Sequence, residues 1–161
     1  MTGTGLGQGT VFLDNFGLNP VLDVDGAPAG SVTPLNNLRA AFWLNDAVVS
    51  EAWFFDAGQF LNPTGVGVEI PGAAAGSTVN LQVVAWDSGA DYNDGGGLSF
   101  ADAVVKGVSE PFEVALGGAG SPPSLPGTLA NMQSFGLVPE PSTLALGVLG
   151  GGLLLALRRR K

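Results

Sequence analysis

Acidic and amide side chains gather around one glycine-rich segment, and their types come closest to a binding chemistry. The segment reads DSGADYNDGGG at residues 87–97, and Asp102 adds a further carboxylate shortly after it. Calcium binds several oxygen ligands supplied by such loops. The segment therefore contains candidate calcium ligands. They are Asp87, Asp91, Asn93 and Asp94.

The spacing of these residues fits calcium only weakly. Asp91-x-Asn93 begins like an EF-hand loop, but Gly95 stands at the next ligand position, and the last is Asp102 where the loop requires Glu. A second fragment, DVDG at residues 23–26, has the same weakness. Solvated turns are the favoured interpretation of both segments, and we predict no cofactor and no metal.

The composition excludes most catalytic machinery. The chain has no His and no Cys, which rules out Ser-His-Asp and Cys-His catalysis, disulfides, and zinc sites built on imidazole or thiolate. A Ser-Lys pair of Lys106 with Ser99 or Ser109 remains as an option, but a surface lysine in the last helical turn is favoured. Hydrolysis by paired carboxylates is also disfavoured. We predict no catalytic residues and no enzymatic activity.

The charges divide the chain into two unlike regions. Its 161 residues include 14 acidic and six basic side chains, a formal net charge of −8. Residues 1–137 hold thirteen acids and only two bases, Arg39 and Lys106, whereas residues 138–161 hold one acid and four bases. The large acidic region repels phosphate backbones, so nucleic acid is excluded as a partner.

Short apolar runs separated by turn residues predict an all-β fold. Turns recur about every 8–12 residues, which is typical of an immunoglobulin-like β-sandwich with seven or eight short strands. Asn45-Asp46 separates two of these runs and predicts a strand pair, with a helix as the alternative for the first run, 38–44. Residues 59–65 are predicted as loop and Pro71-Gly72 as a strand end. The predicted strands are 10–16, 38–44, 48–55, 66–70, 78–86, 112–116 and 132–138.

One short helix is predicted near residues 99–106. Ser99 is a suitable N-cap, and Asp102 stands three residues later, as in a capping box. Gly107 would end the helix.

Aromatic residues on the strands offer a second binding chemistry, because aromatic rings can stack on sugars. Burial in the core is the favoured interpretation for aromatic side chains on strands. The residues concerned are Trp43, Trp53, Phe54, Phe55, Trp86 and Phe100.

Four segments follow from these patterns. Residues 1–9 are an N-terminal remnant without the basic start and apolar core of a signal peptide, and we expect them to be disordered. The β-sandwich covers 10–116, and a Pro/Gly connector with the last strand covers 117–138. Residues 139–161 form a tail with different physical properties.

The tail predicts a single transmembrane helix. Residues 141–157 are 17 uncharged residues in a row, which as a helix span about 25 Å of a roughly 30 Å hydrocarbon core. The basic end would lengthen the span by snorkelling and remain in the cytoplasm. The alternatives are a tail-anchored protein with a cytosolic domain and a buried C-terminal helix, which the absence of a polar face disfavours. The spanning residues include Ser142, Thr143, Leu144, Leu146, Val148, Leu149, Leu153, Leu154, Leu155 and Leu157, and the basic end is Arg158, Arg159, Arg160 and Lys161.

The order of elements in the tail resembles a known sorting signal. Pro139-Glu140-Pro141, a short apolar helix and a terminal arginine cluster follow one another, as in the PEP-CTERM sorting signals of Gram-negative bacteria that make exopolysaccharide. The resemblance implies that an inner-membrane exosortase recognises and cleaves the tail. It implies a β domain held in the periplasm and later at the cell surface, with the exosortase, the lipid bilayer and exopolysaccharide as partners.

The upstream domain resembles a group of such proteins found in Verrucomicrobia-like genomes, for which no activity is implied. Members of this group start with a Sec signal peptide, so we expect the coding sequence to extend upstream of Met1. The matching pieces are 9–11 with 15–16, 23–26 with 29–30, 70–72, 81–83 with 85–86, 112–120 with 122–123, and 132–135.

Together these features predict a non-enzymatic exported protein of the cell surface or extracellular matrix, anchored by a PEP-CTERM tail that an exosortase cleaves. The alternative is a membrane-anchored adhesin module that binds carbohydrate or calcium, with the tail serving only as an anchor.

Overall fold

The computed structural model describes residues 8–118 and 124–140, and these residues form strands connected by turns. Two short 3-10 helices, Leu35–Asn37 and Tyr92–Asp94, interrupt the strand order. The strands are β1 (Gln8–Val11), β2 (Leu38–Leu44), β3 (Ala47–Asp56), β4 (Gln59–Leu61), β5 (Val68–Ala74), β6 (Thr78–Asp87), β7 (Val105–Val108), β8 (Phe112–Ala115), β9 (Gly117–Gly118) and β10 (Val138–Pro139).

The strands form two antiparallel sheets. The smaller sheet has the order β5-β1-β9, and the larger sheet runs β10-β7-β6-β2-β3-β4. Strand β8 pairs with the first half of β6, beside the half that pairs with β7. The prediction of an all-β fold is confirmed at the level of strands and sheets, and the immunoglobulin-like sandwich stays a prediction.

One hydrophobic core is shared by the two sheets. Val11 and Ile70 contribute from the smaller sheet, and Phe42 and Val83 from the larger, all of them fully buried. Residues 129–137 add further side chains to this core, so the segment predicted as connector and last strand contacts the sheets directly. These side chains are Leu129, Met132, Phe135 and Leu137.

The β2–β3 hairpin forms as predicted around Asn45-Asp46. Both residues have positive φ, 50° and 61°, which is the conformation that a two-residue type I′ turn requires. Leu44 pairs with Ala47 across this turn. The local turn chemistry therefore sets the register of the two strands.

Replacing Asp46 by glycine should stabilise the protein. Glycine adopts positive φ without the Cβ penalty that Asp carries, so we expect the free energy of unfolding to rise by roughly 0.5–1 kcal/mol. Urea denaturation would show a higher midpoint at an unchanged slope. Ala47→Gly is the control, because it adds a glycine within strand β3 and should lower the midpoint.

The predicted helix near 99–106 is wrong. Ser99 Oγ accepts from Asp102 N (3.4 Å) and donates to Asp102 Oδ2 (2.6 Å), so the predicted cap contact forms, and Ala103 N donates to Ser99 O (3.0 Å). The chain makes only this turn and then enters β7. β-Branched valines at 104, 105 and 108 favour a strand, and the edge of β6 supplies the pairing partner.

Two further strand boundaries differ from expectation. Residues 59–61, predicted as loop, form β4 and pair with β3. Strand β5 continues through Pro71-Gly72, which was predicted to end it. Proline is tolerated here because, among the described residues, β5 lies at the edge of the three-stranded sheet and pairs on one side only, with β1.

The outer strand predictions extend beyond the observed ladders. Strand β1 ends at Val11, although the prediction ran to residue 16. Of the predicted 132–138 strand, only its last residue lies in a ladder, within β10. The chain between residues 129 and 137 instead packs irregularly over the core.

Candidate sorting site

The chain just before the sorting motif is fixed in the core. Leu137 is only 2% exposed, and its N–H donates to Leu22 O at 2.8 Å. Leu22 N in turn donates to Phe135 O at 2.8 Å. Burial and backbone hydrogen bonds therefore hold the chain in place up to the first residue of β10.

Val138 and Pro139, the first residue of the motif, continue the larger sheet. In β10, Val138 pairs with Lys106 and Pro139 pairs with Val105. Because β10 is the edge strand, the missing N–H of Pro139 breaks no interior ladder. Glu140 extends the contact, since its N–H donates to Val104 O at 2.7 Å.

The carboxylate of Glu140 forms an ion pair with Lys106. Lys106 Nζ lies 3.1 Å from Glu140 Oε1, and the side chains are 17% and 57% exposed, respectively. The same ammonium donates to Phe100 O (3.2 Å) and Ala101 O (3.1 Å). It also lies 5.2 Å from the centre of the Phe100 ring. The lysine is thus fixed from one side, while the glutamate keeps contact with water.

An open groove of about 370 Å³ lies beside this ion pair. Phe100 and Val108 give it an apolar wall, and Pro139 and Glu140 border it. The motif therefore lies next to a concave apolar surface of the β domain.

The contact of Lys106 with Glu140 was not predicted, because the two residues are distant in the sequence. The predicted helix placed it on a solvated surface, whereas β7 presents it to Glu140. Two signals were available in the sequence. Lys106 is one of two bases upstream of the tail, and Glu140 is the single acid in residues 138–161.

The rest of the predicted tail lies outside the described residues. This applies to Pro141, to the predicted membrane-spanning residues 142–157 and to the basic end 158–161. Within residues 8–118 and 124–140, no helix is long and apolar enough to cross a membrane.

Two carboxylates of the glycine-rich loop, Asp87 and Asp91, accept hydrogen bonds from backbone N–H groups of their own turns, and Asp91 also bonds to Asn36. Asp91 caps the 3-10 helix, accepting from Asn93 N (2.9 Å) and from Asn36 Nδ2 (2.7 Å). Mainly the Asn93 N–H, and then Asn36, lower the pKa of Asp91 below its usual value. Asp87 accepts from Gly89 N at 2.8 Å. In the part of the chain that the structure describes, no three acidic side chains are grouped as a metal would need.

The second candidate fragment, 23–26, has a structural role. Asp23 is 2% exposed and accepts four backbone N–H donors, from Val24, Gly30, Val32 and Thr33, at 2.8–3.2 Å. Burial raises its pKa, but these backbone donors outweigh burial and lower it to about 2. The carboxylate therefore organises the 23–33 loop.

The aromatic candidates separate into several contacts. Phe54 belongs to the shared core, and Trp86 is buried against Phe100 on the opposite side of the larger sheet, with Trp43 beside Phe100. Trp53 packs edge-on against Tyr92 at 4.8 Å. Phe55 is exposed and faces Phe16 at 5.9 Å. The six residues thus do not share one sugar-stacking surface, and carbohydrate binding stays a prediction.

Arg39, the other base upstream of the tail, serves the fold. It is buried and donates to Asn36 O, Leu38 O and Ala90 O at 2.9–3.2 Å. Its guanidinium lies 4.7 Å from the Tyr92 ring centre. Burial lowers the pKa of Arg39, and nearby Glu51 opposes this shift. Lys106 is therefore the base that meets the sorting motif.

Comparison with known proteins gives a match in the tail. No curated protein and no solved structure matches the chain, so the Verrucomicrobia-type resemblance of the upstream domain stays a prediction. A PEP-CTERM motif implies recognition by an exosortase and a secreted protein processed at the membrane. Residues 137–161 match the family model described as the PEP-CTERM protein-sorting motif.

Proposed function

We propose that this chain is a non-enzymatic exported protein of the cell surface or extracellular matrix. Its tail anchors it in the inner membrane, with the β domain in the periplasm, until an exosortase cleaves near residues 139–141. The observation that carries the proposal is the match of residues 137–161 to the sorting motif. The chemistry of the process belongs to the exosortase, and this chain is its substrate.

The position of the motif supports this proposal. Pro139 and Glu140 come shortly after the buried Leu137, with Val138 between, and both are exposed. A processing enzyme at the membrane therefore meets Pro139 and Glu140 on the surface of the domain, at the edge of the larger sheet.

The charge of the domain supports an extracellular role. With thirteen acids and two bases in residues 1–137, the domain is repelled by anionic lipid and by other copies of itself. We propose that its sheets form an immunoglobulin-like sandwich that presents this acidic surface within an exopolysaccharide matrix. The proposal assigns the domain no catalytic residue and no cofactor.

Mass spectrometry of the C-terminus in cells with an active exosortase tests the proposed processing. We expect the mature protein to lack the Arg158–Arg159–Arg160–Lys161 end, and the intact chain to accumulate in membranes when the exosortase gene is deleted. Glu140→Ala should strongly reduce processing. Glu113→Ala, which removes an exposed acid on β8, is the matched control and should be processed like wild type. An intact terminus in the presence of active exosortase would refute the proposal.

A further inference from the structure

Three contacts hold the beginning of the sorting motif on the β domain. Val138 and Pro139 pair with β7, Glu140 N donates to Val104 O, and the Glu140 carboxylate pairs with Lys106. Backbone and side chain are both engaged. The motif is therefore bound by the folded domain as an added edge strand, the mode by which sheets bind extended peptides.

The domain side of this contact is organised without help from the tail. Lys106 Nζ is already held by the carbonyls of Phe100 and Ala101. Those carbonyls belong to the single turn closed by Ser99 and Asp102. The ammonium is thus fixed at the edge of β7, where a carboxylate following an extended strand can reach it.

We propose that the edge of β7 and Lys106 form an intramolecular binding site for the sorting motif, and that the β domain and the exosortase compete for residues 138–140. This inference rests on the proposed function. Under the proposed function, the exosortase recognises residues 139–141, which include the Glu140 carboxylate and the backbone beside it. Those groups are the ones that β7 and Lys106 occupy, so the motif has to leave β7 before it is bound.

The strength of this binding is modest. The ladder is two residues long, and the glutamate is more than half exposed. Exposed ion pairs are weak. We therefore expect loss of the Lys106 charge to raise the fraction of molecules in which residues 138–140 have left β7 by about two- to fivefold. The docked form slows processing without preventing it.

Hydrogen exchange of the full chain in detergent micelles measures the docking directly. The Glu140 amide should be protected in wild type and exchange about two- to fivefold faster in Lys106→Met. Added salt should speed exchange in wild type and have little effect in Lys106→Met, because the screened interaction is already absent. Lys106→Arg retains the charge and should keep the protection.

The rate of tail removal in exosortase-containing cells measures the competition. Pulse-chase labelling should show faster processing of Lys106→Met than of wild type, with Lys106→Arg near wild type. Val66→Glu is the matched control for net charge. It changes the charge by the same amount at an exposed site before β5, and its rate should equal that of wild type.

The outcomes separate this inference from the proposed function. Equal or slower processing of Lys106→Met, or an unprotected Glu140 amide in wild type, overturns the competition. Absence of any processing in wild type overturns the proposed function, and with it the competition. Exchange protection would then still show that β7 binds the motif.

Discussion

Replacing Asp23 by alanine should lower the free energy of unfolding by about 3–4 kcal/mol. The buried carboxylate accepts four backbone N–H donors and the Thr33 hydroxyl. Removing it leaves these donors without a partner where water has little access. Chemical denaturation followed by tryptophan fluorescence would measure the loss.

Asp25→Ala is the matched control for this prediction. Asp25 lies two residues away and also accepts from a backbone N–H, that of Ala27, and from a serine hydroxyl. Because Asp25 is exposed, water replaces the contacts that alanine removes. We therefore expect the free energy of unfolding to change by less than about 1 kcal/mol. If the two substitutions lowered the free energy of unfolding equally, the burial of Asp23 would add nothing to the cost of removing its carboxylate.

The same carboxylate predicts a pH dependence. The pKa of Asp23 falls from 3.8 to about 2 on folding, so its ionisation contributes about 2 kcal/mol of stability at neutral pH. This contribution is complete above the unfolded pKa and is lost as the pH falls through the folded pKa. The stability gap between wild type and Asp23→Asn should therefore narrow between about pH 4 and pH 2. The prediction would be contradicted if urea titrations gave the same difference in the free energy of unfolding between the two proteins at every pH in this range.

Gly117→Ala is the second substitution with a large expected effect. A Cβ at this position would overlap the carbonyl oxygen of Leu125 and lie 2.7 Å from Pro126 Cα. These are backbone atoms, so relief requires moving the chain away from β9. We expect the free energy of unfolding to fall by about 3 kcal/mol, which would appear as a lower midpoint of urea denaturation.

Gly96→Ala provides the comparison for Gly117→Ala. A Cβ at residue 96 meets nothing within 4 Å, and the backbone there is not left-handed. Its substitution should change stability by less than about 0.5 kcal/mol. Similar losses for the two alanines would indicate that glycine flexibility, and not close packing, explains Gly117.

Features set by neighbouring residues could be predicted from the sequence. The alternation of residues 78–86 gave strand β6, and Asn45-Asp46 gave the β2–β3 turn, because both depend on local periodicity or local φ preference. The sorting motif was also readable, since its elements are contiguous in the chain.

Features set by distant residues could not be predicted in this way. The cap at Ser99 and Asp102 forms, yet pairing of β7 with β6 overrides the helix that it predicted. Lys106 reaches Glu140 across 34 positions of sequence. Asp23 has a calcium-like local pattern, but several of its hydrogen-bond donors come from residues 30–33. Long-range pairing decides each of these cases.

The burial of Leu137 has a consequence for engineering with this tail. The sorting module matched in the chain begins at residue 137, but Leu137 is part of the core and Val138 is part of a sheet. A graft of residues 137–161 onto another protein therefore transplants one core side chain without its pocket. Conversely, truncation before Leu137 removes a piece of the donor's interior. The sorting module and the folded domain therefore share residues 137–139.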